Sequence, residues 1–540
     1  MKKRNGLLAA LLASTMVLGS LVGCSNTEVN EKNPSTTGSQ EKVESDEAEV
    51  IAEITYPLEG NKTLSVATMG VTLGGDYKEF FETFQKATGV TLEYEALSFD
   101  AMNLMFASGD LPDIVVTYSN VFANGVNSAI EEEWIVPIDE YMDKWAPDLK
   151  ATLESNDLFR KSATLDGYGV VGAPSLQENA YQATSAGMML RADWLEKVGM
   201  DLPETADDLY NVLKAFKEEC GAEAPLSVSL GWLQNLMNDG MITSPFGLAR
   251  TNLYQVDGKV HYGYAEPEYK GVLEYLNKLY EEKLLDPNFQ TLDGATQNAN
   301  FMNGVSGVTA NSAGGGIGTF LTTMEETNPE WDVAGISSLV AKKGDTAMMH
   351  RLGNLAGGVF MYITPACEDI ETAMKFINYG YTEEGRTLIA FGEEGVAHTV
   401  VDGKEIYTEL ITKNPDGLTM AEALKHYTGA LSSWGFVQED GYWEQYAGRP
   451  QQQQAIKAWS KSEGYKYLLP PVEVLAEETD ENATLSADIK TYVAEMLVKY
   501  VTGEKSLDTF ESEYLATLEK MGVDRYIEIQ QHALDAFNAR

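Results

Sequence analysis

The run Thr63–Asn120 reads TLSVATMG (63–70), DYKEFFETFQKATG (76–89), VTLEYEA (90–96), FDAMNLMFASGD (99–110) and LPDIVVTYSN (111–120). The first segment is a short apolar strand. The second places Tyr77, Phe80, Phe81 and Phe84 on one helical face and stops at Gly89. The third alternates as a strand, and the fourth is a helix ending at Gly109. The fifth carries Ile114-Val115-Val116, an unbroken apolar run suited to a parallel strand covered on both faces. Strand, helix, strand, helix, strand at this spacing predicts an α/β unit with a largely parallel sheet.

A similar rhythm returns after residue 183. GMMLRADWLEKVGM (187–200) reads as a strand entering a helix, with Asp193 at the helix start and Trp194 as a core anchor. LPETADDLYNVLKAFKEE (202–219) is a helix opened by Pro203 and a Thr205…Asp208 capping pattern. APLSVSLGW (224–232), GVSGVTAN (304–311) and GGVFMYIT (357–364) are expected as strands, and DIETAMKFINYGYT (369–382) as a helix. The last hundred residues are mainly helical: DIKTYVAEMLVKYVTG (488–503) and SLDTFESEYLATLEKMG (506–522) are amphipathic and close on glycine.

At the other end, Met1-Lys2-Lys3-Arg4 precedes an apolar run from Leu7 to Val22, the pattern of a secretion signal. Leu21-Val22-Gly23-Cys24 resembles a lipobox, in which cleavage leaves the cysteine first and its thiol carries a diacylglycerol. Residues 1–23 are therefore expected as a lipoprotein signal peptide, and Cys24 as the lipidation site of a cell-membrane anchor on the extracellular face. Residues 24–58 are rich in Ser, Thr, Asn, Glu and Lys and read as a disordered acidic linker. The 540-residue chain carries a net charge of −43; without the signal, 36 basic residues face 82 acidic ones. Such a surface repels nucleic acid and anionic lipid, so the anchor and not a basic patch must hold it at the membrane. Cys220 and Cys367 could pair outside the cell, but nothing in their spacing requires it.

FFETFQKATGVTLEYE, ASGDLPDIVV, WIVPIDEYMDKWAPDLK and DGYGVVGAP, in that order, resemble the N-terminal half of family 1 extracellular solute-binding proteins, the binding components of ABC sugar importers. MLRADWLEKVGMDLPETADDLYNVLKAFKEE, AMKFINYGYTEEGRTLIAFGEEG and TGEKSLDTFESEYLATLEKMGVDRYIEI are similar to the long lipoprotein branch common in Gram-positive bacteria. The resemblance implies the two-lobe, periplasmic-binding-protein-like (type II) α/β fold with a hinge. The first lobe would take 59–182 and 345–395, and the second 183–344 and 396–540, closing on ligand by a hinge movement. It also implies a monomer that delivers its ligand to ABC transporter permease subunits.

In open α/β sheets ligands gather beyond the carboxyl ends of the strands. That rule selects Met69, Gly70, Val71 and Thr72 after the first strand, and Thr117, Tyr118, Ser119 and Asn120 after PDIVV. It also selects Gly231 and Trp232, then Asn311, which precedes Ser312 and a glycine run. Aromatic rings suit the C–H faces of a sugar, and Asn or Thr side chains suit its hydroxyls. Tyr118 and Trp232 are expected to stack; Asn120, Asn311 and Thr117 are expected to bond hydroxyls, with Met69 beside them. Trp434 and Trp443 are added from SSWGFVQEDGYWEQYAG (432–448), read as more loop than core. Trp134 and Trp145 are read as structural.

No catalytic constellation is found. The five histidines (261, 350, 398, 426, 532) stand singly and no His-Glu-x-x-His is present, so neither a metal site nor a cofactor is expected. There is no Gly-x-Ser-x-Gly elbow. GYTEEGRT (380–387) imitates a phosphate loop but follows a helix, and AGGGIG (313–318) is read as a flexible cleft loop or tight packing. With 82 acidic residues, carboxylate pairs carry no information about a glycosidase. The expectation is a binder of a neutral mono- or oligosaccharide. A lipid-anchored glycoside hydrolase, a binder of a non-sugar solute and a surface adhesion module are the alternatives.

Overall fold

In the 63–120 run each apolar face finds a partner. The computed structural model describes residues 54–69, 77–122, 125–177, 184–350, 355–432 and 434–540. Within them, β1 is Lys62–Met69, α1 Lys78–Thr88, β2 Val90–Leu97, α2 Phe99–Ser108 and β3 Ile114–Tyr118. α1 ends where Gly89 takes a left-handed φ of 75°, and α2 begins where the Ser98 hydroxyl accepts from the Ala101 amide. Phe80, Phe81 and Phe84 are all buried, as their helical spacing requires. β1 pairs in parallel with both β2 and β3, Met69 lying opposite Leu97 and Thr68 opposite Val116. Asp113, just before β3, accepts from the Ser65 amide at 2.7 Å and its hydroxyl at 2.6 Å, pinning that register.

The sheet has six strands, in the order Val437–Gln438, Ala173–Gln177, Ala356–Ile363, β3, β1, β2. Ala356–Ile363 runs antiparallel to both neighbours, so the parallel character expected from sequence holds for the β2-β1-β3 half and for the short pair of Val437–Gln438 with Ala173–Gln177. A second, three-stranded antiparallel sheet places Ala186–Arg191 between Val308–Ser312 and Val333–Gly335. The Thr205 capping box forms in full: Thr205 Oγ1 accepts from the Asp208 amide and Asp208 Oδ2 from the Thr205 amide, both at 3.1 Å.

Two hydrophobic cores result. One gathers Leu64 to Leu176, Ala356 to Ile389 and Trp434 to Val437. The other gathers Met188 to Met349, Ala390 to Ala430 and Tyr442 to Tyr526. The return of 434–437 to the first core, through a two-residue strand, has no counterpart in the sequence-based division after residue 395. Cys220 and Cys367 are free thiols.

Three local expectations change. Residues 224–228 form no extended strand; Leu226 makes only isolated parallel bridges to Leu285 and Val308, and a helix, Leu230–Asn238, begins at once. The segment read as loop within 432–448 contains the helix Asp440–Tyr446. The end of the expected linker belongs to the body, because Tyr56 donates to the Lys375 carbonyl at 2.6 Å and its ring packs on Tyr379. The expected signal peptide, Cys24, the linker as far as residue 53, and Gly70, Val71 and Thr72 lie outside the described residues.

Candidate ligand-binding site

β1, β2 and β3 end side by side, so Met69, Leu97 and Tyr118 reach one edge of the first sheet. Tyr118 is 40% exposed and Asn120, in the 3₁₀ turn Ser119–Val121, is exposed as well. Thr117 differs from expectation. Its side chain is buried, with Oγ1 3.7 Å from the Met69 sulfur, because alternation along β3 turns it inward while Tyr118 turns out. The sequence reading missed Phe99, which opens α2 at the same edge and is 49% exposed. The strand-end rule, applied to β2 as it was to β1 and β3, finds it.

On the second core, Leu226 bridges Val308 in parallel, so Ser229 and Asn311 reach a common level. The buried Gln297 staples the two segments: Oε1 accepts from the Ser229 amide at 2.7 Å and Nε2 donates to the Ala310 carbonyl at 2.9 Å. Ser229 caps the helix whose first turn carries the half-buried Trp232. Asn311 is held by its neighbours, donating to Asn298 at 2.8 Å and accepting from the Ser312 amide at 2.8 Å. Met69, Tyr118 and Asn120 thus form one group, and Trp232 and Asn311 another.

Trp434 and Trp443 sit elsewhere than expected. Trp434 is 7% exposed, its ring packed against Phe81, Phe84 and Phe376; Trp443 is 5% exposed and packs on Tyr442 and Tyr446. Rings enclosed in this way offer no face to a sugar. Tyr446 instead reaches the glycine run after Asn311: a Cβ on Gly314 would fall 2.2 Å from its ring, and one on Gly316 would fall 2.7 Å from the Asn311 side chain. The AGGGIG run is therefore tight packing, wound as a π-helical turn over 313–318.

Two titratable groups are shifted far from their ordinary values, and the first borders Tyr118 and Asn120. Glu473 is the hydrogen-bond partner of Ser119, between Tyr118 and Asn120; burial pushes its carboxyl up to about 7 while Arg540 pulls the other way. His350 bonds Thr184 at 3.1 Å and the Ser462 hydroxyl, and burial pushes its imidazole down to about 4. Among the described residues no group of three or more His, Cys, Asp or Glu could hold a metal ion, and no helix is long and apolar enough to cross a membrane.

The family described as bacterial extracellular solute-binding protein matches residues 71–387. The fructooligosaccharide ABC transporter substrate-binding protein FusA of Streptococcus pneumoniae serotype 4 (strain ATCC BAA-334 / TIGR4) is 22% identical over 524 residues, covering 90% of this chain and 92% of FusA. Lipoprotein LipO of Bacillus subtilis (strain 168) is 26% identical over 362 residues, 63% of this chain and 67% of LipO. The crystal structure of alginate-binding protein AlgQ2 without calcium ion superposes with a TM-score of 0.74 at 23% identity, over 90% of this chain and all of that one. The fold is the two-lobe α/β fold of periplasmic binding proteins.

Proposed function

The chain belongs to the bacterial extracellular solute-binding protein family, whose members here are substrate-binding proteins and not enzymes, and from that premise we propose that it captures an oligosaccharide between its lobes and hands it to an ABC permease. The observation that carries the reading is the pair of strand-end groups. Tyr118, Phe99 and Asn120 on the first sheet, and Trp232 and Asn311 on the second core, pair aromatic faces with amides as a sugar requires. FusA, a fructooligosaccharide-binding relative along nearly the whole chain, supports a saccharide of more than one ring. The net charge of −43 favours a ligand of low total charge, since the field opposes a polyanion.

The lobes, 59–182 with 345–395 and the 434–437 return on one side and the rest of 183–344 and 396–540 on the other, close on the ligand by hinge movement. Lipidation at Cys24 tethers the monomer to the outer face of the membrane. The linker then keeps it at high effective concentration beside the permease. The test is a thermal-shift screen against plant and host oligosaccharides, followed by small-angle scattering with each hit. A saccharide that raises Tm and lowers the radius of gyration is the expected result. Release of cleaved products from any hit, or binding without change in scattering, would refute the reading.

A further inference from the structure

Ten large hydrophobic side chains stand exposed among the described residues, and four of them, Val396, Val400, Val401 and Ile406, fall within eleven residues. They belong to one hairpin. His398–Val401 pairs antiparallel with Lys404–Tyr407 across Asp402-Gly403, whose φ values of 52° and 75° suit a two-residue turn. The base of the hairpin is fixed to the body. His398 and Tyr407 are buried, and the Tyr407 hydroxyl donates to the Ala390 carbonyl at 2.7 Å. Gln445 covers the edge of the second strand, accepting from the Tyr407 amide and donating to the Glu405 carbonyl, both at 2.9 Å. The tip projects, with Val400 and Val401 each half-exposed.

The register places Val401 and Ile406 on one face of this ribbon and Val400, with His398, on the other. Val401 and Lys404 close the turn as a hydrogen-bonded pair, so the N–H and C=O of Val400 point outward along the edge opposite Gln445. The base of that edge meets the loop before the hairpin: the Gly395 amide donates to the His398 carbonyl and the Thr408 hydroxyl to the Val396 carbonyl, both at 2.8 Å.

Beside this loop lie two adjoining grooves, of about 880 Å³ and 240 Å³, which share Thr83, Lys86 and Glu393. Glu79, Glu82, Glu383, Glu384, Glu393 and Glu394 line them with one lysine, Lys86, and no arginine. That ratio of six to one exceeds the 82 acidic to 39 basic residues of the whole chain. His398, only 3% exposed, lines the larger groove, and its Nδ1 has no hydrogen-bond partner. No residue of the two strand-end groups lines either groove.

A cluster of exposed aliphatic side chains rimmed by charge marks an interaction surface, and the sign of the rim selects the partner. A second copy would set glutamate against glutamate, and anionic lipid or polymer would be repelled. We propose that the hairpin tip docks an extended protein segment in which lysine or arginine alternates with aliphatic residues. Lying beside Val400, such a segment sends alternate side chains to the two faces of the ribbon. Its aliphatic side chains cover Val401 and Ile406. Its cations reach Glu393, Glu394 and the grooves, their stems crossing Val396 and Val400. This interface is separate from saccharide capture and does not rest on it.

The test measures fluorescence anisotropy of three labelled octapeptides, alternating Leu-Lys, Ser-Lys and Leu-Glu, with the intact protein at physiological ionic strength. The Leu-Lys peptide is expected to bind at least tenfold tighter than the other two. Combining Val400→Ser, Val401→Ser and Ile406→Ser should lower its affinity to that of the Ser-Lys peptide. Combining Glu383→Gln, Glu384→Gln, Glu393→Gln and Glu394→Gln should weaken it at least tenfold. The same charge change at Glu131, Glu132, Glu326 and Glu330, exposed and outside both grooves, should not. Equal binding of the Leu-Lys and Ser-Lys peptides, an affinity unmoved by the hairpin substitutions, or an equal loss from the distant set overturns the proposal. Hydrogen exchange on the unaltered protein decides the matter even if a variant fails to fold: the Leu-Lys peptide should protect amides within 396–406, and exchange unchanged there overturns the interface.

Discussion

Tyr118 and Thr117 are neighbours with opposite fates. One ring stands 40% exposed at the sheet edge and the other side chain is 1% exposed, because adjacent strand residues point to opposite faces. Tyr118→Ala and Asn120→Ala are therefore expected to weaken saccharide binding about tenfold each, the order of one lost stacking or hydrogen-bonding contact. The Tm of the unliganded protein should stay within about 1 °C, since exposed positions contribute little to stability. Calorimetry and melting of the same variants check both halves. The buried aromatics behave otherwise: Trp434 lies among Phe81, Phe84 and Phe376, and its replacement would open a core cavity.

At the scale of the element, the π-helical turn over 313–318 depends on glycine because Tyr446 occupies the volume a side chain would need. Gly314→Ala should cost about 1–3 kcal/mol by overpacking. Tyr446→Ala in the same chain should recover part of that loss, a coupling that a denaturant-based double-mutant cycle measures. Glu473, the hydrogen-bond partner of Ser119, predicts a pH effect. Its folded pKa of about 7 lies above the ordinary 4.5, so between those values the native state binds a proton that the unfolded chain has lost. Stability from this group is present below about 4.5 and is lost as pH rises through about 7. Glu473→Gln should leave Tm unchanged near pH 4.5 and raise it relative to the unaltered protein near pH 8; equal Tm at both would contradict the assignment.

At the scale of the molecule, several connections join the two cores. Besides the chain's own passages near Thr184 and His350, the C-terminal helix Val523–Ala539 links them: within the second core it sets Tyr526 against Tyr262, and Gln531 donates to the Gly258 carbonyl at 2.9 Å. The same chain end places Arg540 on Asp166 at 3.1 Å, beside Leu165 of the first core. The tether is a separate matter: Cys24→Ser should release the body into the medium with unchanged ligand affinity, read by immunoblot of cells and medium and by calorimetry. Retention on the cell, or an affinity that falls with release, contradicts the proposed anchor.

Local periodicity made much of the fold legible. The aromatic spacing of α1, the glycine stops at Gly89 and Gly109 and the apolar run of β3 each encode which face is buried. The Thr205–Asp208 box was equally plain, since its partners lie three residues apart. The strand-end rule likewise reached Tyr118 and Asn120. The rest depends on neighbours hundreds of residues away. Trp434 and Trp443 look alike in sequence to any ligand-facing tryptophan, and only their packing partners make them core. Gln297 becomes a staple only when Ser229 and Ala310 arrive beside it. The chain by itself thus determined which residues seek burial, because that is a property of each side chain and its spacing. Tertiary structure alone decided which polar groups are satisfied, because satisfaction depends on which distant atoms share the same few ångströms.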